Sequence, residues 1–567
     1  MERQSETKGF TVLSAASIVN KLLGILYVPV LTLILGNEGN GIYDAGYKIY
    51  QLVFMVATAG IPVAISKLIS EQVATSRYDV SHRTLKISGL MLVSVGALTS
   101  IIMAVFAKQF SIMIGFPESY MTILALSPTL LFVSVSCAFR GYFQGRSNMV
   151  PTGISQIIEQ AVNTVFTVLF AWLMYRYGVN YAASHGITGE AQIHSEAVKY
   201  AAAGATVGTS LGAFFSALYL CRFYLKNRAE ILGEIVQSVH ADDFIYSTKM
   251  ILKKIFQYAV PITLGAVAIY AANLVDLQFT KGQLIKAGYS ASEANGLYGI
   301  LSTQYLKVLF IPVTLATALA TTILPSISAA SARKDNVLLG RRISKSIKMI
   351  LMIAVPSAIG LTVMAKPIIF CLFPTVPDGW DMLILGSWTL VLISLVSIQT
   401  AILQGLGRTY IPTIHMAIGL VLKIIINYNL IAIRSINIKG AIAGSAACYI
   451  FAAIMNYRAI RKLTGVRLNV KQLFNRPLSV SVIMGILVYL IYHGFVFMTD
   501  WLIKSAFLQN ILCAGISIAS GCLIYYLLMI CAKGITAQDI KSLPRGEMIL
   551  ALTLKIPHME RFLGMHG

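Results

Sequence analysis

Apolar residues in this chain gather into fourteen long runs separated by short polar stretches. The runs lie near 11–35, 43–66, 87–107, 121–139, 152–175, 200–221, 255–280, 297–325, 347–372, 383–404, 411–433, 437–457, 478–498 and 507–532. A helix needs about 20 mainly apolar residues to cross a bilayer, so the pattern predicts fourteen spanning helices and an all-α integral membrane protein. The first run follows the charged stretch Met1–Lys8. It is too long for a signal-peptide core and no small-residue cleavage site follows, so it is read as helix 1. Composition agrees: 57% of the 567 residues are hydrophobic, 12% are charged, and the mean hydropathy is +0.74. A soluble protein carries about 25% charged residues, and half of that cannot cover a water-facing globule.

Charge sets the orientation. Lys and Arg number 45 against 23 Asp and Glu, a net charge of +22. A nucleic-acid-binding domain would place such an excess on one soluble face, whereas here it recurs in small clusters between apolar runs. With the N terminus in the cytoplasm, 32 Lys/Arg flank the inner ends of the runs and 10 the outer ends, and Lys21, Lys307 and Lys423 lie inside helices. That bias predicts cytoplasmic termini on both sides of an even number of helices. The seven cysteines have no CxxC or Cys/His spacing, so neither a disulfide framework nor a zinc site is expected.

The chain also repeats itself. Asn40-Gly41-Ile42-Tyr43 opens helix 2 with Tyr50 seven residues on, and Asn295-Gly296-Leu297-Tyr298 opens helix 8 with Tyr305 seven residues on. Ala107-Lys108 leads to Phe116-Pro117 as Ala365-Lys366 leads to Phe373-Pro374, and Gln144-Gly145 precedes Pro151 as Gln404-Gly405 precedes Pro412. The offsets at Asn40, Phe116 and Gln144 are 255, 257 and 260. Six helices, six equivalent helices and two more are therefore expected. A six-helix unit preserves orientation, so the halves relate by an axis along the membrane normal, the layout of an alternating-access transporter. The division reads as an N-terminal lobe at 1–225, a cytoplasmic amphipathic linker at 226–254, a second lobe at 255–460, helices 13 and 14 at 461–535, and an amphipathic cytoplasmic tail at 536–567.

At Asn20-Lys21-Leu22-Leu23-Gly24, at Phe139-Arg140-Gly141-Tyr142-Phe143-Gln144-Gly145 and at Pro151 with Gln156-Ile157-Ile158-Glu159-Gln160, the chain resembles the MOP flippase superfamily. The resemblance is to its Gram-positive branch of MurJ-like and stage V sporulation protein B-like members, and it runs from about residue 10 to 530. It implies a V-shaped, two-lobed flippase in the cytoplasmic membrane that moves an undecaprenyl-pyrophosphate-linked oligosaccharide such as a lipid II-like peptidoglycan precursor. It also implies no enzymatic step and no cofactor, and coupling to membrane potential, Na+ or H+. Partners would be the lipid-linked sugar, membrane lipids and cell-wall synthesis proteins, with no nucleic acid. Fourteen helices suit this branch better than the twelve of MATE exporters.

Ionisable residues inside spanning helices are costly and are functional candidates by default. MurJ-type members place arginines in helices 1, 2 and 8 against the substrate pyrophosphate. The resemblance carries that role to Lys21, Lys307 and Lys48, the last near the outer end of helix 2, while Tyr27 stands where those relatives have a second helix-1 arginine. Lysine keeps the charge but lacks the bidentate fork. For Lys21 a second reading is snorkelling to the inner interface. The resemblance also sets Asp276 of helix 7 beside Lys423 and Asn427 of helix 11, where some MurJ-type members bind sodium, and implies either a structural ion pair or an ion- or proton-coupling site. Glu159, among Gln156, Gln160 and Asn163, either faces the cavity as a substrate contact or pairs with Arg140 or Arg146.

Prolines 29, 62, 128, 261, 312, 325 and 356 are expected as kinks, and the linker and tail as interfacial helices or solvated connectors. No GxxxxGK[ST], HExxH or GxSxG occurs, so ATP hydrolysis and those catalytic chemistries are not expected. His415 and His493 lie alone in apolar runs, and Asp378 and Asp381 are the only close acidic pair in an outer loop. Three alternatives remain: a cation-coupled MATE-type drug exporter, a flippase for teichoic-acid or capsule precursors, and a membrane glycosyltransferase using that acidic pair.

Overall fold

The computed structural model describes residues 6–58, 60–236, 247–332, 335–467, 470–535, 537 and 546–554. All fourteen apolar runs fall on helices, and no strand occurs among the described residues. Among the described residues, eleven helical segments are long and apolar enough to cross a membrane, or twelve if one bent pair is a single span. The count is below fourteen partly because the first two runs follow one another across a kink at Gly36 and are counted together. The protein is an all-α, multi-pass membrane protein.

The chain divides by its contacts into two compact units, 1–299 and 300–567. The first contains α1 (Glu6–Thr58), α2 (Ile61–Ala74), α3 (Tyr78–Val105), α4 (Ala107–Met113), α5 (Tyr120–Leu126) and α6 (Thr129–Gly145). It continues through α7 (Val150–Ser184), α8 (Glu190–Lys226), α9 (Arg228–Val236), α10 (Thr248–Lys286) and α11 (Ala291–Gly299). Runs 1 and 2 are joined within α1 at Gly36, whose φ of 60° and ψ of −168° break the helix. A side chain would be strained there. Run 2 is interrupted again before α2, where Gly60 donates its N–H to Thr263 Oγ1 at 3.2 Å and Pro62 begins the new helix. Run 4 bends by 41° between Leu126 and Thr129, at Ser127–Pro128. These breaks occur where proline or glycine frees the backbone, as expected for irregular helices inside a membrane protein.

The second unit opens with a π-helical segment, Ile300–Leu306, followed by α12 (Lys307–Ala332), α13 (Asn336–Val363), α14 (Ala365–Leu372) and α15 (Trp380–Gly405). It ends with α16 (Tyr410–Leu430), α17 (Gly440–Thr464), α18 (Val470–Thr499), α19 (Ala506–Cys531) and α20 (Gly546–Leu554). The expected linker contains α9; its residues 237–246 lie outside the described residues. Of the expected tail, α20 is described and packs back on α19, with Thr553 Oγ1 and Tyr526 Oη 2.8 Å apart; 538–545 and 555–567 lie outside.

Glycines set the closest approaches. In lipid there is little hydrophobic gain from joining two apolar helices, so small residues that let backbones meet become the adhesive. On α8, Gly204, Gly208 and Gly212 form a stripe with four-residue spacing. Cβ atoms there would lie 2.4 Å from the Phe170 carbonyl oxygen, 2.3 Å from the Thr167 nitrogen and 2.5 Å from the Glu159 carbonyl oxygen, all on α7. Likewise Gly141 and Gly145 of α6 abut the Pro62 and Ser66 carbonyls of α2, at 3.0 and 2.7 Å from an added Cβ. The Phe139–Gly145 stretch is thus a helix-packing motif, with Tyr142 and Phe143 fully buried beside it.

Leucine at Gly208 would have to force α7 and α8 apart. Over-packing costs about 1–3 kcal/mol where side chains can yield, and here the obstacle is backbone. Gly208→Leu should therefore sharply lower membrane abundance and thermal stability. Gly233→Ala, on α9 with nothing within 4 Å of its Cβ, should leave both unchanged. Detergent-solubilised yield and melting temperature are the measurements.

Candidate functional site

The part of α1 beyond Gly36 carries an aromatic ladder. Tyr43, Tyr47, Tyr50 and Phe54 follow one another at helical spacing, with ring centroids 5.8, 5.3 and 5.9 Å apart. Tyr43 is nearly buried against Leu31, Leu35 and the alanines of α8, and Tyr27 and Tyr47 pack on the same cluster. The sequence marked Tyr43 and Tyr50 only as repeat signposts, although their spacing already implied a shared face.

Lys48 belongs to this helix, but it is engaged. Its ammonium donates to the Tyr298 hydroxyl of α11 and lies 3.7 Å from Asp44, one turn earlier on its own helix. The Tyr298 hydroxyl in turn donates to Asp44 Oδ2 at 2.9 Å. Lys48 therefore serves a closed three-residue cluster in this state. The side chain of Lys21 lies outside the described set; its backbone continues α1.

Glu159 takes the second of its two expected roles, pairing internally. Arg140 of α6 donates to Glu159 Oε2 at 2.6 Å, to Ser155 Oγ at 3.0 Å and to Ser216 Oγ of α8 at 2.9 Å. The guanidinium thus ties three helices, and the Glu159 carboxylate keeps part of its surface open, with 33% side-chain exposure. Arg146, the other partner considered, pairs instead with Glu234 of α9 and with the Tyr142 hydroxyl. That contact fastens the start of the linker to α6.

Lys307 is the first residue after the π-helical segment. A π turn shifts the helical register and recurs at functional positions, and here it determines which way α12 presents its residues before Pro312. Asp276 is half-buried on α10 in the first unit, and Thr280 Oγ1 donates to its backbone carbonyl at 2.7 Å. Lys423 and Asn427 lie on α16 in the second unit, where the Asn427 carboxamide presses onto α17. A Cβ on Gly444 would stand 2.0 Å from its oxygen.

An apolar groove of about 670 Å3 opens in the second unit between α12, α13, α18 and α19. Val308, Pro312, Met352, Gly360, Met484 and Tyr525 are among its lining residues. Its first wall residue, Val308, directly follows Lys307. Nothing in the run pattern disclosed this groove, because its four walls come from runs 8, 9, 13 and 14.

The two histidines in apolar runs and Asp381 of this unit are engaged by neighbours. His415 Nδ1 meets Asn456 Oδ1 at 2.7 Å, and His493 stacks among Tyr489 and Tyr492. Asp381 forms an ion pair with Lys439 at 2.7 Å and accepts the Met382 N–H, which leaves the glycosyltransferase reading without a free carboxylate pair. No cluster of three or more metal-ligating side chains occurs among the described residues.

A polysaccharide biosynthesis protein profile matches residues 7–331 of this chain, more than half its length. The chain belongs to that family. Two curated relatives agree with the match. Lipid II flippase MurJ of Bacillus subtilis is 26% identical over 500 residues, covering 85% of this chain and 88% of that protein. Stage V sporulation protein B of the same organism is 25% identical over 498 residues, covering 86% and 89%. Among solved structures, lipid II flippase MurJ in an inward closed conformation superposes with a TM-score of 0.62 at 14% identity, covering 91% of this chain and 98% of that one. The fold is therefore that of MOP-superfamily transporters, and this family member is a transporter of that type.

Proposed function

We propose that this protein is a flippase for an undecaprenyl-pyrophosphate-linked oligosaccharide of the lipid II type, moved across the cytoplasmic membrane by alternating access. The observation that carries this reading is the apolar groove between α12, α13, α18 and α19, with Val308, the neighbour of Lys307 in the chain, in its wall. A polyprenyl chain is a long, branched, wholly apolar ligand with a strongly anionic end. The site that suits it is a groove without polar walls beside a cation. Lys307 holds the pyrophosphate as a positive charge, the tail lies along α13, α18 and α19, and the sugar occupies the space above the cation. Helices α18 and α19, the pair beyond the two repeats, supply half of the groove. A twelve-helix drug exporter would have no such wall.

The test is rescue of cells depleted of their lipid II flippase. Wild type should rescue. Lys307→Ala should not, at undiminished protein level, and Lys307→Arg should, because the role is charge. Gly360→Phe should fail as well: a Cβ at Gly360 meets nothing within 4 Å, so the ring enters the groove without disturbing the helix packing. Rescue by Gly360→Phe at wild-type rate would remove the groove from the mechanism.

Both termini face the cytoplasm in this reading, which rests on the Lys/Arg distribution. A membrane-impermeant thiol reagent applied to whole cells should label a cysteine placed at Ala291 and spare one at Asn336. The reverse result overturns the orientation.

Asp276 of α10 and, in the second unit, Lys423 and Asn427 of α16 are assigned to coupling with the membrane potential, Na+ or H+. Asp276→Asn should lose rescue at undiminished protein level, and rescue at wild-type rate would remove Asp276 from the coupling.

A further inference from the structure

A proline shapes the end of the apolar groove nearest the start of α13. Pro356 has no N–H to offer the Met352 carbonyl one turn earlier. The Tyr525 hydroxyl of α19 donates to that carbonyl instead, at 2.9 Å, and ties the two walls together. Met352, Tyr525, Tyr526 and Ile535 all line the groove here. In the orientation that the Lys/Arg distribution gives, this is its cytoplasmic end.

The same four side chains share one apolar cluster with Leu550 and Leu554 of α20. Leu550 is 5% exposed and Thr553 3%, and Thr553 Oγ1 lies 2.8 Å from the Tyr526 hydroxyl. Leu550, Thr553 and Leu554 follow one another at the spacing of a single helix face, while Glu547, Met548 and Ala551 are exposed. A helix of nine residues is too short to hold its shape alone in water, so α20 takes its order from the surface it lies on. A bilayer surface suits the same face. Arg545 and Lys555 flank α20 in the sequence, and an amphipathic helix with basic ends binds an anionic interface.

We propose that α20 is a tethered competitor for the groove: its leucines hold the end at Met352, Tyr526 and Ile535 that the apolar chain of a prenyl lipid needs, and the lipid gains that end only when α20 lifts onto the membrane surface. The ligand in this inference rests on the flippase reading, and the regulation of the site is added to it. Leucine side chains and isoprene units are both branched and wholly apolar, so one surface serves either. Two occupants of one place weaken each other by the same factor. The covalent tether gives α20 a high effective concentration at the groove, which keeps bulk phospholipid tails from filling this end. A ligand that displaces the helix must bind more tightly than they do.

Thiol labelling reads the seated helix. Full-length protein carrying Leu550→Cys or Met548→Cys is placed in vesicles of phosphatidylcholine and phosphatidylglycerol and treated with N-ethylmaleimide, and the labelled peptide is quantified by mass spectrometry. The buried position should react about tenfold more slowly than the exposed one, since it reacts only through local opening. Undecaprenyl pyrophosphate should speed labelling of Leu550→Cys and leave that of Met548→Cys unchanged. Leu554→Glu puts a charge into the apolar seat. Added to Leu550→Cys, it should raise labelling to the Met548→Cys rate. On its own it should tighten binding of radiolabelled undecaprenyl pyrophosphate about tenfold, the change that one freed leucine contact produces. Equal labelling at the two positions without lipid overturns the seat. Lipid that binds without changing the Leu550→Cys rate, or that binds wild type and Leu554→Glu alike, overturns the competition and leaves the flippase reading standing. Binding that survives Gly360→Phe puts the lipid outside the groove and also overturns the competition. Lipid that binds neither wild type nor Leu554→Glu overturns both the competition and the ligand of the flippase reading.

Discussion

Close backbone contact at glycine is the interaction on which the rest of this structure depends. Apolar side chains facing lipid gain nothing by being moved against other apolar side chains, so helix association must come from van der Waals fit and short-range polar contacts. Gly204, Gly208 and Gly212 bring α8 onto α7, Gly141 and Gly145 bring α6 onto α2, and Gly41 and Gly299 bring α1 onto α11. The third crossing also carries a polar cluster, Asp44, Lys48 and Tyr298.

Charge inside the apolar interior follows a second rule. Each ionic side chain far from water needs a partner in reach, and the described structure supplies one in several places. Arg140 answers Glu159 and two serines across three helices, Arg146 answers Glu234, Lys281 answers Glu118, and Lys439 answers Asp381. These pairs link segments within a unit, most of them far apart in the chain, and add a tertiary specificity that apolar packing alone cannot supply. Lys48 differs in the length of its ion pair, 3.7 Å to Asp44, with the Tyr298 hydroxyl as its hydrogen-bond partner.

The groove and Lys307 join these two themes. The apolar groove bounded by α12, α13, α18 and α19 includes Val308, Ile311 and Pro312 of α12 in its wall. The π-helical segment Ile300–Leu306 runs directly into α12, whose first residue is Lys307.

The sequence by itself determined the class, the helices and the repeat, because a bilayer imposes length and hydropathy on each span separately and short loops record orientation as charge. All fourteen runs are helical, and the Asn-Gly and Gln-Gly marks of the repeat sit at helix ends and crossings. It also named most of the ionisable residues that matter, since a charge in an apolar run stands out without any knowledge of neighbours. Only the tertiary structure decided what each of them touches. Lys48 read as a phosphate contact and is held by Asp44 and by Tyr298, 250 residues away. Glu159 had two open readings, and its carboxylate is paired with Arg140 of a neighbouring helix while staying one-third exposed. The groove was invisible because its walls are apolar like everything around them, and the glycine crossings because a missing side chain gives no signal until another backbone is seen to fill its place. Hydropathy is a property of one helix in lipid; partner, register and cavity are properties of several helices at once.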